Sequence, residues 1–228
     1  MKYLRVAIIA LMIPMIAKAQ VVYDGGTGIF PSDAFEMSGY NEAMNFTLSS
    51  DAFVTGVSIT TTYQGGGVID PLYGFRGRFD WALFTDAAGM PGTLVASGSS
   101  VPTRTTQTIL GPDFDVSQWT FSVTPTALTG TTKYWISLHN TDATGSYLQN
   151  GFYWEASGNV PNTTASASQA NGVGPWVINN AIDTPDFGDG NRLSLQLLGA
   201  TTVPEPSSVT LLAGGLLGLA GIVRRKRT

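Results

Sequence analysis

The chain has no cysteine and a single histidine among its 228 residues, and these shortages exclude several kinds of chemistry. Without cysteine there is no disulfide, no thiolate metal ligand and no thiol nucleophile. With one histidine, His139, a multi-histidine metal site cannot form within one chain, so we expect this residue to be structural or solvent-facing. A Gly-x-Ser-x-Gly nucleophile elbow is also missing. The sequence therefore gives no support for a nucleophilic enzyme or for a histidine-based metal site.

Charged residues are also few, at 12% of the chain, and most of the cations lie near its two ends. Between Gln20 and Thr202, five Lys or Arg stand against fifteen Asp or Glu, which gives a net charge of −10. Nucleic acids and anionic membrane surfaces are bound by clustered Lys and Arg, which this stretch lacks. We therefore expect no nucleic-acid partner, whereas the acidity suits solubility and divalent cations.

Helical periodicity is nearly absent between Gln20 and Thr202. Instead, short runs rich in Val, Ile, Thr and aromatic residues alternate apolar with polar positions, and Gly, Pro, Asn and Asp separate them. The clearest runs are Val54–Thr62, Arg78–Phe84, Trp119–Val123, Tyr134–His139 and Leu193–Leu198. About ten such strands predict one all-β domain over residues 20–202. Its predicted architecture is an antiparallel β-sandwich of jelly-roll type, with a partly open barrel as the competing architecture.

The first 19 residues have the pattern of a secretory signal peptide. Lys2 and Arg5 precede the apolar run Val6–Ala17, and Ala17-Lys18-Ala19 forms a small-residue cleavage site. We expect signal peptidase to remove residues 1–19 and to leave a chain that begins at Gln20.

The last stretch, residues 203–228, combines three features in order. A rigid polar motif comes first, residues 207–223 are then apolar or small without any charge, and four consecutive cations follow. The motif is Pro204, Glu205 and Pro206, and the cations are Arg224, Arg225, Lys226 and Arg227. An uncharged run of this length can form one short transmembrane helix, and the cations favour leaving that end in the cytoplasm. The precursor would then sit in the inner membrane with residues 20–202 outside.

This tripartite end resembles the PEP-CTERM sorting signal of Gram-negative bacteria. The resemblance implies that exosortase, a membrane protease similar in role to a transpeptidase, recognises the Pro-Glu-Pro motif and removes the helix and basic tail. A plain C-terminal anchor is the alternative. The body also resembles the all-β ectodomains of such surface proteins, through Tyr23–Gly26, Phe46–Leu48, Val54–Val57, Phe79–Phe84, Gly89–Gly92, Leu128–Ile136 and Leu195–Gly199. That second resemblance implies a β fold and a cell-surface setting, and it assigns no catalytic residue.

Three aromatic residues are candidates for an exposed patch on which a sugar could stack: Trp135, Tyr147 and Tyr153. Trp135 and Tyr153 are out of phase with the apolar residues beside them, so alternation places them on the face away from the core. Trp81 and Trp119 are in phase with other apolar side chains, and we expect them in the core.

Two groups of carboxylates are candidates for other chemistry. Asp183, Asp186, Asp189 and Asn191 offer the oxygen ligands that Ca²⁺ takes, although the spacing is not that of an EF-hand. A hairpin loop in which these residues serve turn geometry is the alternative. No other cofactor is expected. Asp113 with Asp115, or Asp80 with Glu155, could supply the two carboxyls of a glycoside hydrolase, and solvated surface carboxylates are the alternative.

The sequence thus predicts a non-enzymatic exported protein with a structural or adhesive role, delivered to the cell surface or to an extracellular polymeric matrix such as that of a biofilm. The second hypothesis is a carbohydrate-binding module, assisted or not by calcium, and the third is a hydrolase of matrix polysaccharide. The expected partners are signal peptidase and exosortase during export, and exopolysaccharide or other matrix components afterwards.

Overall fold

The computed structural model describes residues 19–26, 28, 34–64, 74–111, 114–147, 151–157, 165–179 and 193–201. The predicted signal peptide up to residue 18 and the predicted sorting motif, transmembrane helix and basic tail lie outside these ranges. Within them, no helix is both long enough and apolar enough to cross a membrane. The described residues form thirteen strands: β1 Gln20–Asp24, β2 Ala34–Glu36, β3 Tyr40–Thr47, β4 Ala52–Gln64, β5 Arg78–Ala87, β6 Met90–Ser100, β7 Thr103–Gly111, β8 Phe114–Leu128, β9 Lys133–Thr141, β10 Phe152–Glu155, β11 Ser166–Ala170, β12 Val177–Ile178 and β13 Gln196–Thr201.

The strands form two antiparallel sheets. In the first sheet β4 is central, because it pairs with β8 along its length on one side and with β13 and then β10 on the other. Strands β7, β1 and β2 lie outside β8, β13 and β10. The second sheet has the order β12-β11-β3-β9-β5-β6. The chain changes sheet repeatedly, as from β2 to β3, β4 and β5, which agrees with the jelly-roll type. The predicted all-β antiparallel sandwich is confirmed.

The main hydrophobic core lies between the two sheets and follows the alternation read from the sequence. Phe79, Trp81 and Leu83 of β5 are buried in it, as are alternate apolar residues of β8 and β9. Trp119 is buried as predicted, and its Nε1–H donates a 2.9 Å hydrogen bond to Thr61 Oγ1 of the neighbouring strand β4. A side chain of this size contributes about 1.5–3 kcal/mol or more when it is fully buried. The core therefore supplies the stability that disulfides supply in other exported domains.

A second, smaller hydrophobic cluster covers part of the opposite face of the second sheet, which we call the outer face. Trp135, Ala43 and Ala167 are fully buried there beneath Phe84, Trp176 and other apolar residues. Trp135 Nε1–H also donates a 2.8 Å hydrogen bond to Asp86 Oδ1. The prediction of an exposed Trp135 is therefore wrong. Alternation correctly placed its side chain away from the main core, but apolar side chains of the same face cover it.

Three strands lack the alternation on which the sequence interpretation relied: β2, β7 and β11. Strand β7 is rich in threonine and β11 consists of Ser, Ala and Gln, so neither sequence has large apolar residues at alternate positions. Each pairs with a longer neighbour, β7 with β8 and β11 with β3. Backbone pairing with a well-patterned strand thus forms these elements, and their own side chains give little signal.

Candidate functional site

A groove of about 460 Å³ crosses the outer face of the second sheet beside the covered Trp135. Its floor consists of small side chains that the strand register places side by side. Ala82 of β5 lies opposite Ser137 of β9 on one side and opposite Ser97 of β6 on the other. Ala43 of β3 follows Ser137 in the same row, but it is buried in the outer-face cluster and does not line the groove. We call this depression the outer groove.

The outer groove has an aromatic wall on each side. On one side stands Phe84, which lies opposite Trp135 in the register and makes an edge contact of 5.8 Å between ring centroids with Trp176. On the other side Tyr147 stacks on His139, with ring centroids 3.9 Å apart and ring planes within 10°. Trp135 and His139, beside which the two walls stand, are four residues apart on β9, so their Cα atoms are roughly 13 Å apart.

Hydrogen bonds hold the Tyr147 wall in place. The Tyr147 hydroxyl donates a 3.0 Å bond to Asn41 Oδ1, and Asn41 Nδ2 in turn donates to Gln169 Oε1 at 3.0 Å. Beneath the phenol, His139 is only 2% exposed, and its Nε2–H donates to the Ser38 carbonyl at 3.1 Å. Burial lowers the pKa of His139, so the ring is neutral at pH 7. His139 is thus a structural support for Tyr147.

The loop that carries Tyr147 is fixed by the guanidinium of Arg76. Arg76 donates to the Ser146 carbonyl at 2.6 Å, and to Ser146 Oγ and Asp142 Oδ2 at 2.5 Å each. Asp142 Oδ1 accepts two further bonds from Thr144, from its hydroxyl and from its backbone N–H. These Thr144 bonds, followed by those from Ser146 and the charge of Arg76, hold the pKa of Asp142 well below its usual range. These bonds fix the loop and, with it, the position of Tyr147.

Polar groups without protein partners line the outer groove. The side chains of Asp80, Ser97, Ser99 and Ser137 make no hydrogen bond within the described part of the chain, although Ser137 is only 4% exposed. Asp80 is the one charged residue among those that line the groove. Ser97 and Ser99 are exposed and Ser137 lies at the floor, so these hydroxyls are free to exchange water for the polar groups of a bound molecule.

The structure separates the three aromatic residues predicted to form a patch. Trp135 is buried, Tyr147 forms a wall of the outer groove, and Tyr153 lies in β10 of the first sheet. Of the three, only Tyr147 lines the groove. Sequence reasoning missed Phe84 and Asn41 as lining residues, because only the pairing register brings β3, β5 and β6 together around β9. One feature of the sequence could have indicated the groove: each of the neighbouring strands has a small residue at a position that faces away from the main core.

The carboxylate predictions have different outcomes. Asp80 faces the outer groove of the second sheet and Glu155 is fully buried in the first, so this pair does not share a cleft. Asp113 lies outside the described residues, as do Asp183, Asp186, Asp189 and Asn191. Within the described ranges no group of three or more His, Asp or Glu side chains could hold a metal ion. The calcium site stays a prediction.

Comparison with known proteins bears on the C-terminal segment. No curated protein matches this chain. A family model described as the PEP-CTERM protein-sorting motif matches residues 202–227, which include Pro204-Glu205-Pro206, the apolar run and the four cations. The match covers each of the three features that suggested a sorting signal. The chain is therefore a protein that carries a PEP-CTERM sorting domain, and so an exported protein with a C-terminal sorting signal.

Proposed function

We propose that this chain is a non-enzymatic adhesive or structural protein of the cell surface or extracellular matrix. The observation that carries the proposal is the sorting motif at residues 202–227, joined to an acidic sandwich that has an open groove. The motif makes exosortase its sorting partner. Signal peptidase would cut before Gln20, which becomes the first residue of the chain, and exosortase would then cut near Pro204-Glu205-Pro206. The sandwich would leave the inner membrane after that cut.

The composition of the groove supports a binding role. Glycoside hydrolysis uses two carboxyls on opposite sides of the scissile bond. The outer groove has the single carboxylate of Asp80, and its other polar lining groups are hydroxyls, an amide and backbone. An arrangement of this kind can hold a polar ligand without activating water. The groove favours carbohydrate binding as the mode of adhesion, with or without calcium.

The test is a gene deletion in the producing bacterium, complemented with variants of the full chain. We expect the deletion to reduce attachment or matrix cohesion and the unaltered chain to restore it. Replacing Pro204, Glu205 and Pro206 by alanine leaves the sandwich intact, and we expect this variant to stay in the membrane and to fail in complementation. Unchanged attachment and matrix in the deletion strain would contradict the adhesive role. Polysaccharide turnover by the purified chain, abolished by one Asp→Asn change, would contradict the non-enzymatic role.

A further inference from the structure

The shape of the outer groove limits what can enter it. Its floor row runs across β9, β5 and β6, which is a length of roughly 10 Å for two strand spacings. The floor side chains are Ser137, Ala82 and Ser97, none larger than serine, and both walls are aromatic. A flat ring system longer than one ring fits such a trench lengthwise.

The lining groups match the two kinds of surface on a pyranose ring. One face of a sugar ring presents C–H groups, and these pack against an aromatic face such as that of Tyr147. The ring edge presents hydroxyls, which donate to the Asp80 carboxylate and exchange hydrogen bonds with Ser97, Ser99 and Ser137. Because Arg76, Asn41 and His139 already fix Tyr147, little side-chain freedom is lost on binding.

Charge disfavours anionic ligands. The only charge that lines the groove is Asp80, on a body of net charge −10, so uronic acids and phosphorylated polymers would be repelled. A cationic sugar would be attracted by Asp80, so a cationic probe has to be compared directly with the neutral ones. An apolar peptide is also unsuitable, because it would bury these serine hydroxyls without partners.

We propose that the outer groove binds a neutral saccharide chain, with one ring stacked on Tyr147 and its hydroxyls held by Asp80 and the floor serines. This inference rests on the adhesive function proposed above and names its ligand class.

The experiment titrates the full chain, solubilised in detergent micelles, with tetrasaccharides of defined charge. Cellotetraose, laminaritetraose and mannotetraose are the neutral probes, tetragalacturonate is the acidic probe and a chitosan tetramer is the cationic one. We expect saturable binding of at least one neutral probe and none of the acidic probe. Asp80→Asn keeps the shape of the side chain and should weaken binding about tenfold, as expected for a lost bond to a charged group.

Two substitutions of Tyr147 distinguish a loss of stacking from a loss of folding. Tyr147→Ala removes the wall and should weaken binding at least about tenfold. Tyr147→Phe keeps the ring, removes only the bond to Asn41, and should keep affinity within about threefold. The matched control is Tyr153→Ala in the first sheet, which should leave affinity unchanged. Thermal unfolding of each variant identifies any that fails to fold, and the Tyr147→Phe and Asp80→Asn variants then carry the test.

Several results would overturn the inference: no neutral probe binds, the acidic or cationic tetramer binds more tightly, or Tyr147→Ala and Asp80→Asn both bind as well as the unaltered chain. Complementation separates this inference from the adhesive function. If deletion abolishes attachment and the Tyr147→Ala chain restores it fully, the groove proposal fails and the adhesive role stands. If deletion has no effect, the adhesive role fails whatever the micelle titration gives.

Discussion

Ala88 shows how one residue can store strain at the turn of a hairpin. It has φ 54° in the two-residue turn between β5 and β6, and Gly89 follows with φ 85°. Positive φ at both positions is typical of a type I′ turn, where Asn-Gly is preferred and alanine is unfavourable. We predict that Ala88→Gly raises the free energy of unfolding by about 1 kcal/mol.

Chemical denaturation measures this change. The matched control is Ala127→Gly at an exposed position within β8, which should lower the free energy of unfolding instead, since glycine weakens a strand. A lower free energy of unfolding in Ala88→Gly would contradict the backbone strain at Ala88.

Removal of the Trp135 side chain should destabilise the fold. It is fully buried in the outer-face cluster and bonded to Asp86. We predict that Trp135→Ala lowers the free energy of unfolding by about 3–5 kcal/mol, the usual loss for a large buried aromatic. Denaturant unfolding monitored by circular dichroism checks it, with half-buried Tyr153→Ala expected to lose less. An unchanged unfolding midpoint for Trp135→Ala would contradict the burial.

Glu42 makes the stability of the fold depend on pH. Burial between β9 and β11 raises its pKa from the usual 4.5 to about 8, although Ser168 and Asn179 donate hydrogen bonds to its Oε2. The folded chain therefore keeps the proton over a range in which the unfolded chain loses it. Its contribution to stability is complete below the unfolded pKa and is lost as pH rises towards about 8.

We predict that the free energy of unfolding falls by about 1.4 kcal/mol per pH unit from this group between those two pKa values. Glu42→Gln should remove that component, because an amide does not titrate. Denaturation of both proteins from pH 5 to pH 8 measures the difference. If the free energy of unfolding changed with pH equally in Glu42→Gln and in the unaltered chain, Glu42 would not be the group responsible.

At the scale of elements, the loop from Asp142 to Tyr147 supplies one wall of the outer groove. Arg76 connects it to the sheet through Asp142 and Ser146. We predict that Arg76→Ala speeds amide hydrogen exchange in this loop and leaves exchange in the core strands β4 and β8 unchanged. Arg76→Lys is the matched control: it keeps the charge, cannot reproduce the fork of bonds, and should give an intermediate rate. Equal loop exchange in all three proteins would contradict the role of Arg76.

Strands with an apolar face could be predicted from sequence, and the groove could not. Phe79, Trp81 and Leu83 reveal β5 because alternate burial is a property of one strand. The groove combines Asn41, Asp80, Ser97 and Ser137 from four strands, and it exists only in one register. Trp135 shows the same limit. Its orientation follows from alternation, whereas its burial depends on side chains from β5 and from the segment that includes Trp176.

At the scale of the whole molecule, the two ends and the body have opposite character. The ends carry seven of the twelve Lys and Arg residues, and the body has a net charge of −10. Processing at both ends would release a strongly acidic sandwich without its membrane segment. The groove lies on that released part, at residues 41–147. The sorting signal and the outer groove thus lie in separate parts of the sequence, and each can be tested by itself.

The most direct test of the account is mass spectrometry of the chain recovered from outside the producing cells. The account predicts a protein that begins at Gln20 and has no peptide beyond the Pro204-Glu205-Pro206 region. Both cuts would then have released the sandwich. Recovery of secreted chain that still ends in the intact Arg224–Thr228 sequence would contradict the account.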